Sequence, residues 1–216
     1  MDIERKNKVL DSYKLGLYCL TENVHTYVAL KYVFNVDVDM VGLAVDHNIF
    51  KPLNIDKKEK TGLYFYRNGY LKNPAMMGEA IKLMPDFSLY SYGQASCSFA
   101  KENHLNITDS QLAQLMNKAS VFISTSIHEG FCLPLLEAMA CGTPVITTKA
   151  AGNEMFCIDN VNCLMVESPQ EIAEAVKKIL TDEILVKRLV DNGITTANNY
   201  QWGSVTDRLE EVLCRQ

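Results

Sequence analysis

The stretch Val121 to Thr148, VFISTSIHEGFCLPLLEAMACGTPVITT, constrains this chain's fold more than any other. It opens on an apolar, β-branched-rich run, Val121-Phe122-Ile123, of the kind carried by parallel strands covered on both faces. A polar loop, Ser124 to Gly130, follows. Pro134 then pre-sets the first turn of a helix, where a missing N–H costs nothing. Leu135, Leu136, Ala138, Met139 and Ala140 sustain that helix. Gly142 offers a left-handed cap and Pro144 cannot continue the helix, so Val145 to Thr148 reads as a second buried strand. The result is a β-loop-α-β unit whose loop lies at a strand's carboxyl end, the edge on which open α/β sheets take ligands.

Residue chemistry narrows the ligand. Gly130 lets backbone approach a bound group closely. The N–H groups around Phe131, Cys132 and Leu133, at the positive end of a helix, suit phosphate or sugar oxygens. Glu129 and Glu137 are expected to border one cleft as separate tools, and a buried carboxylate can accept two hydrogen bonds from a vicinal diol such as a ribose. The plainer reading has Glu129 complementing the helix dipole and Glu137 on a solvated face. Upstream, Thr61 to Arg67 reads as a strand with one wetter face. Arg67 and Lys72, five apart, supply a fork and a point charge for a diphosphate, unless both are solvated loop charges.

Glu129-Gly130-Phe131, Leu133-Pro134, Glu137 eight positions after Glu129, Ala138-Met139-Ala140 and Gly142-Thr143-Pro144-Val145-Ile146 closely resemble the signature of retaining GT-B glycosyltransferases, family 4. The resemblance implies an α/β fold with a Rossmann-like, doubly wound parallel sheet, the C-terminal half of a GT-B fold. It implies that Arg67, Lys72 and Glu129 are the catalytic residues, the first two clamping the diphosphate of a nucleotide-sugar donor and Glu129 facing the sugar. Gly130, Phe131, Cys132 and Leu133 would hold phosphate and sugar, and Glu137 the ribose. Gly93, Asn106 and Ile107 would lie along the nucleotide, with Gly152 and Asn153 bordering the phosphates or sugar as lesser candidates beside a plain structural turn. His128 could touch the sugar or be an ordinary loop histidine. This sequence departs from the family at Cys132, where many members have Gly, and at Tyr66, where the family has Gly before the Arg. No metal and no cofactor beyond the donor substrate is expected.

The same resemblance organises the chain. Val45 to Pro52 is similar to the family's interdomain linker. Residues 1–52 are thus expected to be the tail of an N-terminal acceptor-side domain, 53–200 the donor-binding domain, and 201–216 a return helix in which Trp202 also anchors to the core. A tail of about 45 residues cannot bury a core of its own, so a separate acceptor-domain chain or self-association is expected, a truncated gene giving the same picture. The function expected is transfer of a sugar, with retention, to a glycan, lipid or protein acceptor, by a half that is incomplete alone. The alternatives are a non-catalytic nucleotide-sugar-binding module, a subunit of a split glycosyltransferase, or an unrelated doubly wound protein.

Composition sets outer limits. Hydrophobic residues make up 48% and charged residues 22%, as in an ordinary globular protein, and the net charge of −5 argues against nucleic acid as partner. Seven cysteines without a CxxC pair, no signal pattern and no membrane-length apolar run point to a cytoplasmic protein, at most peripheral to a membrane. Asp37-Val38-Asp39 spells an Asp-x-Asp far from the donor loops, and the four histidines lack zinc spacing. Among the remaining elements, residues 1–12 read as a solvent-facing helix and Leu15 to Leu20 as a short buried strand. Thr21 or Asn23 can cap a helix running to Phe34. Val38 to Val45 reads as a strand, 94–108 as irregular, Thr108 with Gln111 as a capping box, and Asn162 to Val166 as a last strand.

Overall fold

A computed structural model describes residues 8, 9, 11–13 and 15–215, so most of the expected helix at residues 1–12 lies outside the described residues. The chain divides into two compact units, Met1–Leu43 with Gly203–Gln216, and Ala44–Trp202.

In the first unit, β1 (Cys19–Thr21) pairs in parallel with β2 (Val38–Met40). Between them Asn23 caps α1 (Val24–Val28), its Oδ1 accepting from the Thr26 amide at 2.8 Å, and the helix continues as a π turn over Ala29–Val33. Leu30, Val36 and Val38 form a small buried cluster. The expected buried strand from Leu15 is corrected: Leu15 and Leu17 are 69% and 66% exposed, and pairing begins only at Cys19, because the partner strand is three residues long. Asp39 of the Asp-x-Asp accepts from the Tyr18 hydroxyl and, at 2.6 Å, from Nη2 of Arg208.

The second unit carries a six-stranded sheet, every pair parallel. Its strands are β3 (Thr61–Tyr66), β4 (Ser88–Gly93), β5 (Glu102–Leu105), β6 (Val121–Ser124), β7 (Val145–Thr147) and β8 (Leu164–Met165), in the spatial order β5-β4-β3-β6-β7-β8. Helices α2 (Pro74–Lys82), α3 (Asp109–Lys118), α4 (Leu133–Ala140), α5 (Pro169–Thr181) and α6 (Glu183–Ala197) alternate with the strands or follow them. This is the doubly wound α/β arrangement expected. Successive strands run outward from β3 on one side, and β6 returns to its other side, so the switch point lies between β3 and β6.

Burial explains the strand sequences. As a central strand covered on both faces, β3 buries Thr61 through Tyr64, so the expected wetter face is absent there. Leu135, Leu136, Ala138 and Met139 of α4 are buried against the core, each large side chain contributing roughly 1.5–3 kcal/mol relative to exposure. α4 ends as a Schellman motif, with the Gly142 amide on the Met139 carbonyl, the Thr143 amide on that of Ala138, and Gly142 at φ +69°. The capping box at Thr108 and Gln111 closes both ways. The segment expected to be irregular instead contains β5, an edge strand whose Glu102 and Leu105 are exposed; edge strands are commonly charged and therefore read as loop. β2 and β8 are shorter than the stretches expected, and Trp202 stands 53% exposed at the start of α7 (Trp202–Cys214). No helix among the described residues is long and apolar enough to cross a membrane.

Candidate active site

Two loops meet at the switch point. One follows β3: Arg67 comes directly after Tyr66, and a single 3-10 turn, Tyr70–Lys72, brings Lys72 back toward the sheet. The other follows β6 and runs to Cys132, the residue before α4. The Ile127 amide donates to the Leu71 carbonyl at 2.8 Å. The Thr125 hydroxyl oxygen lies 3.1 and 3.0 Å from the Lys72 and Asn73 carbonyl oxygens and 3.0 Å from the buried Tyr64 hydroxyl. These contacts fix the backbone that carries Lys72.

A third loop, after β7, braces the glycine. The Glu129 amide donates to the Ala150 carbonyl at 3.0 Å and the Gly152 amide to the Glu129 carbonyl at 3.1 Å. A Cβ on Gly152 would stand 2.3 Å from the Gly130 carbonyl oxygen, so a side chain there cannot coexist with this loop. Asn153 is fully buried and spends its amide within its own loop: Oδ1 accepts from the Ala150 amide at 3.0 Å, and Nδ2 donates to the Thr148 carbonyl at 2.8 Å. That geometry assigns it a bracing part.

The ionisable groups converge on this junction. Arg67, Lys72, His128, Glu129 and Gly130 line one open cleft of about 520 Å³. The Lys72 ammonium is ion-paired with Oε1 of Glu129, and the same oxygen accepts from the Ser126 hydroxyl at 2.6 Å. Arg67 is exposed and makes no ion pair among the described residues. The Gly130, Phe131 and Cys132 amides donate to no acceptor among the described residues. Cys132 sits at φ +74°, the left-handed conformation, which accounts for Gly being the family's common residue there. Its thiol is pushed up to about 12 by burial and by the Glu129 carboxylate, so it is a packed, protonated thiol. The Phe131 ring is buried against Phe156 and Tyr200, at 5.6 and 5.7 Å, which leaves only its amide to face a ligand.

Other expected residues stand apart from that cleft. Gly93, Asn106 and Ile107 gather at the carboxyl ends of β4 and β5, the Asn106 amide donating to the Gly93 carbonyl at 3.2 Å. Gly93 is required by the chain itself, since at φ +149° a Cβ would lie 2.3 Å from the Tyr66 carbonyl oxygen. Glu137 does not line the Arg67 cleft. It sits half-buried in α4, and burial together with the charge of Asp109 raises its pKa to about 7. Tyr64, Thr125 and Ser126 escaped the sequence reading, although a run of short hydroxyl residues, Ser124-Thr125-Ser126, directly after a strand was the available signal.

The Glu137 shift has a definite sign. Between its ordinary 4.5 and about 7 the folded protein keeps the proton that the unfolded chain has lost, so stability falls with rising pH across that window and levels off above it. Glu137→Gln should remove this slope and stabilise the protein by about 2 kcal/mol at pH 8, with no gain at pH 4. Urea denaturation at both pH values checks it.

A doubly wound sheet in this order, with its cleft at the switch point, is a Rossmann-like domain of the kind GT-B glycosyltransferases carry. The sequence places it further: residues 45–196 match the glycosyl transferases group 1 family, to which the chain belongs. D-inositol 3-phosphate glycosyltransferase of Segniliparus rotundus is 26% identical over 204 residues, covering 80% of this chain but 45% of the relative. The chain thus spans about half the length of that relative. Among solved structures, sucrose-phosphate synthase of Thermosynechococcus elongatus superposes with a TM-score of 0.80 at 21% identity, over 91% of this chain and 58% of that one. HepE of Anabaena, in complex with UDP and glucose, gives 0.79 at 17% identity, over 92% and 63%.

Proposed function

We propose that this chain is the donor-binding half of a retaining family-4 glycosyltransferase, gripping a nucleotide-diphosphate sugar at the β3–β6 switch point and transferring the sugar to an acceptor held elsewhere. The observation that carries the reading is the convergence of Arg67, Lys72 and Gly130 on one cleft, with the amides of Gly130, Phe131 and Cys132 donating to no acceptor among the described residues. Two cations and a helix N-terminus are what a departing diphosphate needs as its charge develops. Arg67 offers a bidentate fork and Lys72 a point charge, so the leaving group is neutralised by side chains. Glu129 stands across the same cleft and faces the sugar, where a carboxylate stabilises positive charge at the anomeric carbon. Glu137 receives the ribose hydroxyls, and Asn106 and Ile107 follow the base.

Hydrogen bonds from a diol favour the ionised form of Glu137, so nucleotide affinity rises through pH 7 and binding releases a proton below it. Calorimetry with UDP, GDP and ADP, with and without EDTA, tests the reading. One nucleotide should bind at a single site, more weakly as salt is raised and unaffected by EDTA. Binding of none of the three would refute it.

A further inference from the structure

We infer that Ser126 is a positioning residue for Glu129, holding that carboxylate toward the sugar when an arriving diphosphate draws Lys72 away. The inference rests on the proposed donor site and adds the device that keeps its carboxylate in place.

Two donors to Glu129 meet one oxygen: Ser126 Oγ at 2.6 Å and the Lys72 ammonium share Oε1, and neither meets Oε2. Lys72 cannot be a permanent holder if it also serves phosphate. An ammonium has three donors on a flexible stem, and a doubly charged diphosphate outcompetes one carboxylate for it. Ser126 has no such second task. It is 3% exposed, two residues beyond the end of β6. Its backbone is pinned by the Thr148 hydroxyl, which donates to the Ser126 carbonyl at 2.6 Å. Thr148 follows directly on β7, so Ser126, two residues after β6, is held to the end of the adjacent strand. The neighbouring Thr125 turns its hydroxyl the other way, onto the Lys72 and Asn73 carbonyls. Adjacent residues therefore set the carboxylate through a side chain and the cation through its backbone. When Lys72 turns to the diphosphate, the Ser126 hydrogen bond remains and keeps Oε2 aimed at the space beyond the phosphates.

The test compares ligands with and without the sugar. Calorimetry is run with UDP and UDP-glucose, with GDP and GDP-mannose, and with ADP and ADP-glucose, on wild type, Ser126→Ala, Ser126→Thr and Glu129→Ala. The expected result is that Ser126→Ala binds the nucleoside diphosphate within about threefold of wild type but loses roughly tenfold for the sugar conjugate. Ser126→Thr, which keeps the hydroxyl, restores the sugar-dependent gain. Adding Ser126→Ala to Glu129→Ala costs nothing further. Equal weakening of both ligands by Ser126→Ala, or no weakening of either, overturns the inference while the donor site stands. A wild-type protein that binds none of the six ligands overturns the donor site, and this inference with it.

Discussion

Lys72→Ala is expected to cost about 2 kcal/mol of stability and to weaken nucleoside diphosphate binding by at least about 100-fold. Exposed ion pairs are worth roughly 0–1 kcal/mol, whereas removing one partner of a fully buried pair costs about 3–5. The Lys72 and Glu129 side chains, 19% and 13% exposed, fall between those limits. Removing the ammonium leaves the Glu129 carboxylate without its ionic partner and strips the cleft of a cation. In thermal unfolding the cost should appear as a fall in Tm of about 4–8 °C. The double variant Lys72→Ala/Glu129→Ala separates the two effects: it should recover most of the lost stability, because the stranded carboxylate is gone, and none of the lost binding. Recovery of both together would mean that the ammonium serves only its partner carboxylate.

Gly152→Ala should be more damaging to the fold, at about 3 kcal/mol or more, and should also abolish nucleotide binding. The new methyl would stand 2.3 Å from the Gly130 oxygen and 2.6 Å from the Phe131 nitrogen. Both are backbone atoms, with no side chain to swing aside. The loop they belong to carries Glu129 and the unpaired amides, so relief of the clash moves the groups that face the ligand. Gly203→Ala is the matched control: that helical glycine meets nothing within 4 Å, and alanine there should stabilise by up to about 1 kcal/mol. Urea denaturation and nucleotide titration of the two variants give the comparison.

What the sequence disclosed followed from local physics. Val121 to Thr148 announced its strand, helix and strand because apolar runs, Pro134 and Gly142 act within a few residues of where they stand. β5 stayed hidden because an edge strand carries polar residues, and hydrogen bonding to β4 rather than an apolar pattern makes it a strand. Leu15 and Leu17 misled because apolar composition does not guarantee a covering partner. In the site, the loops were locatable but their joinery was not. Lys72 and Glu129 lie 57 residues apart, and their pairing depends on β3 and β6 being neighbours. The proton affinity of Glu137 depends on its burial and then on Asp109, both set by the fold. Ser126 and Thr125 gain their partners only once three loops meet.

A crystal of the protein soaked in the nucleoside diphosphate that it binds tests the central claim most directly. The account predicts diphosphate density between the Arg67 guanidinium and the amides of Gly130 to Cys132, with the Lys72 ammonium turned from Glu129 onto a phosphate oxygen. Density at any other place on the protein, with the Lys72–Glu129 pair intact and that cleft filled only by solvent, would contradict it.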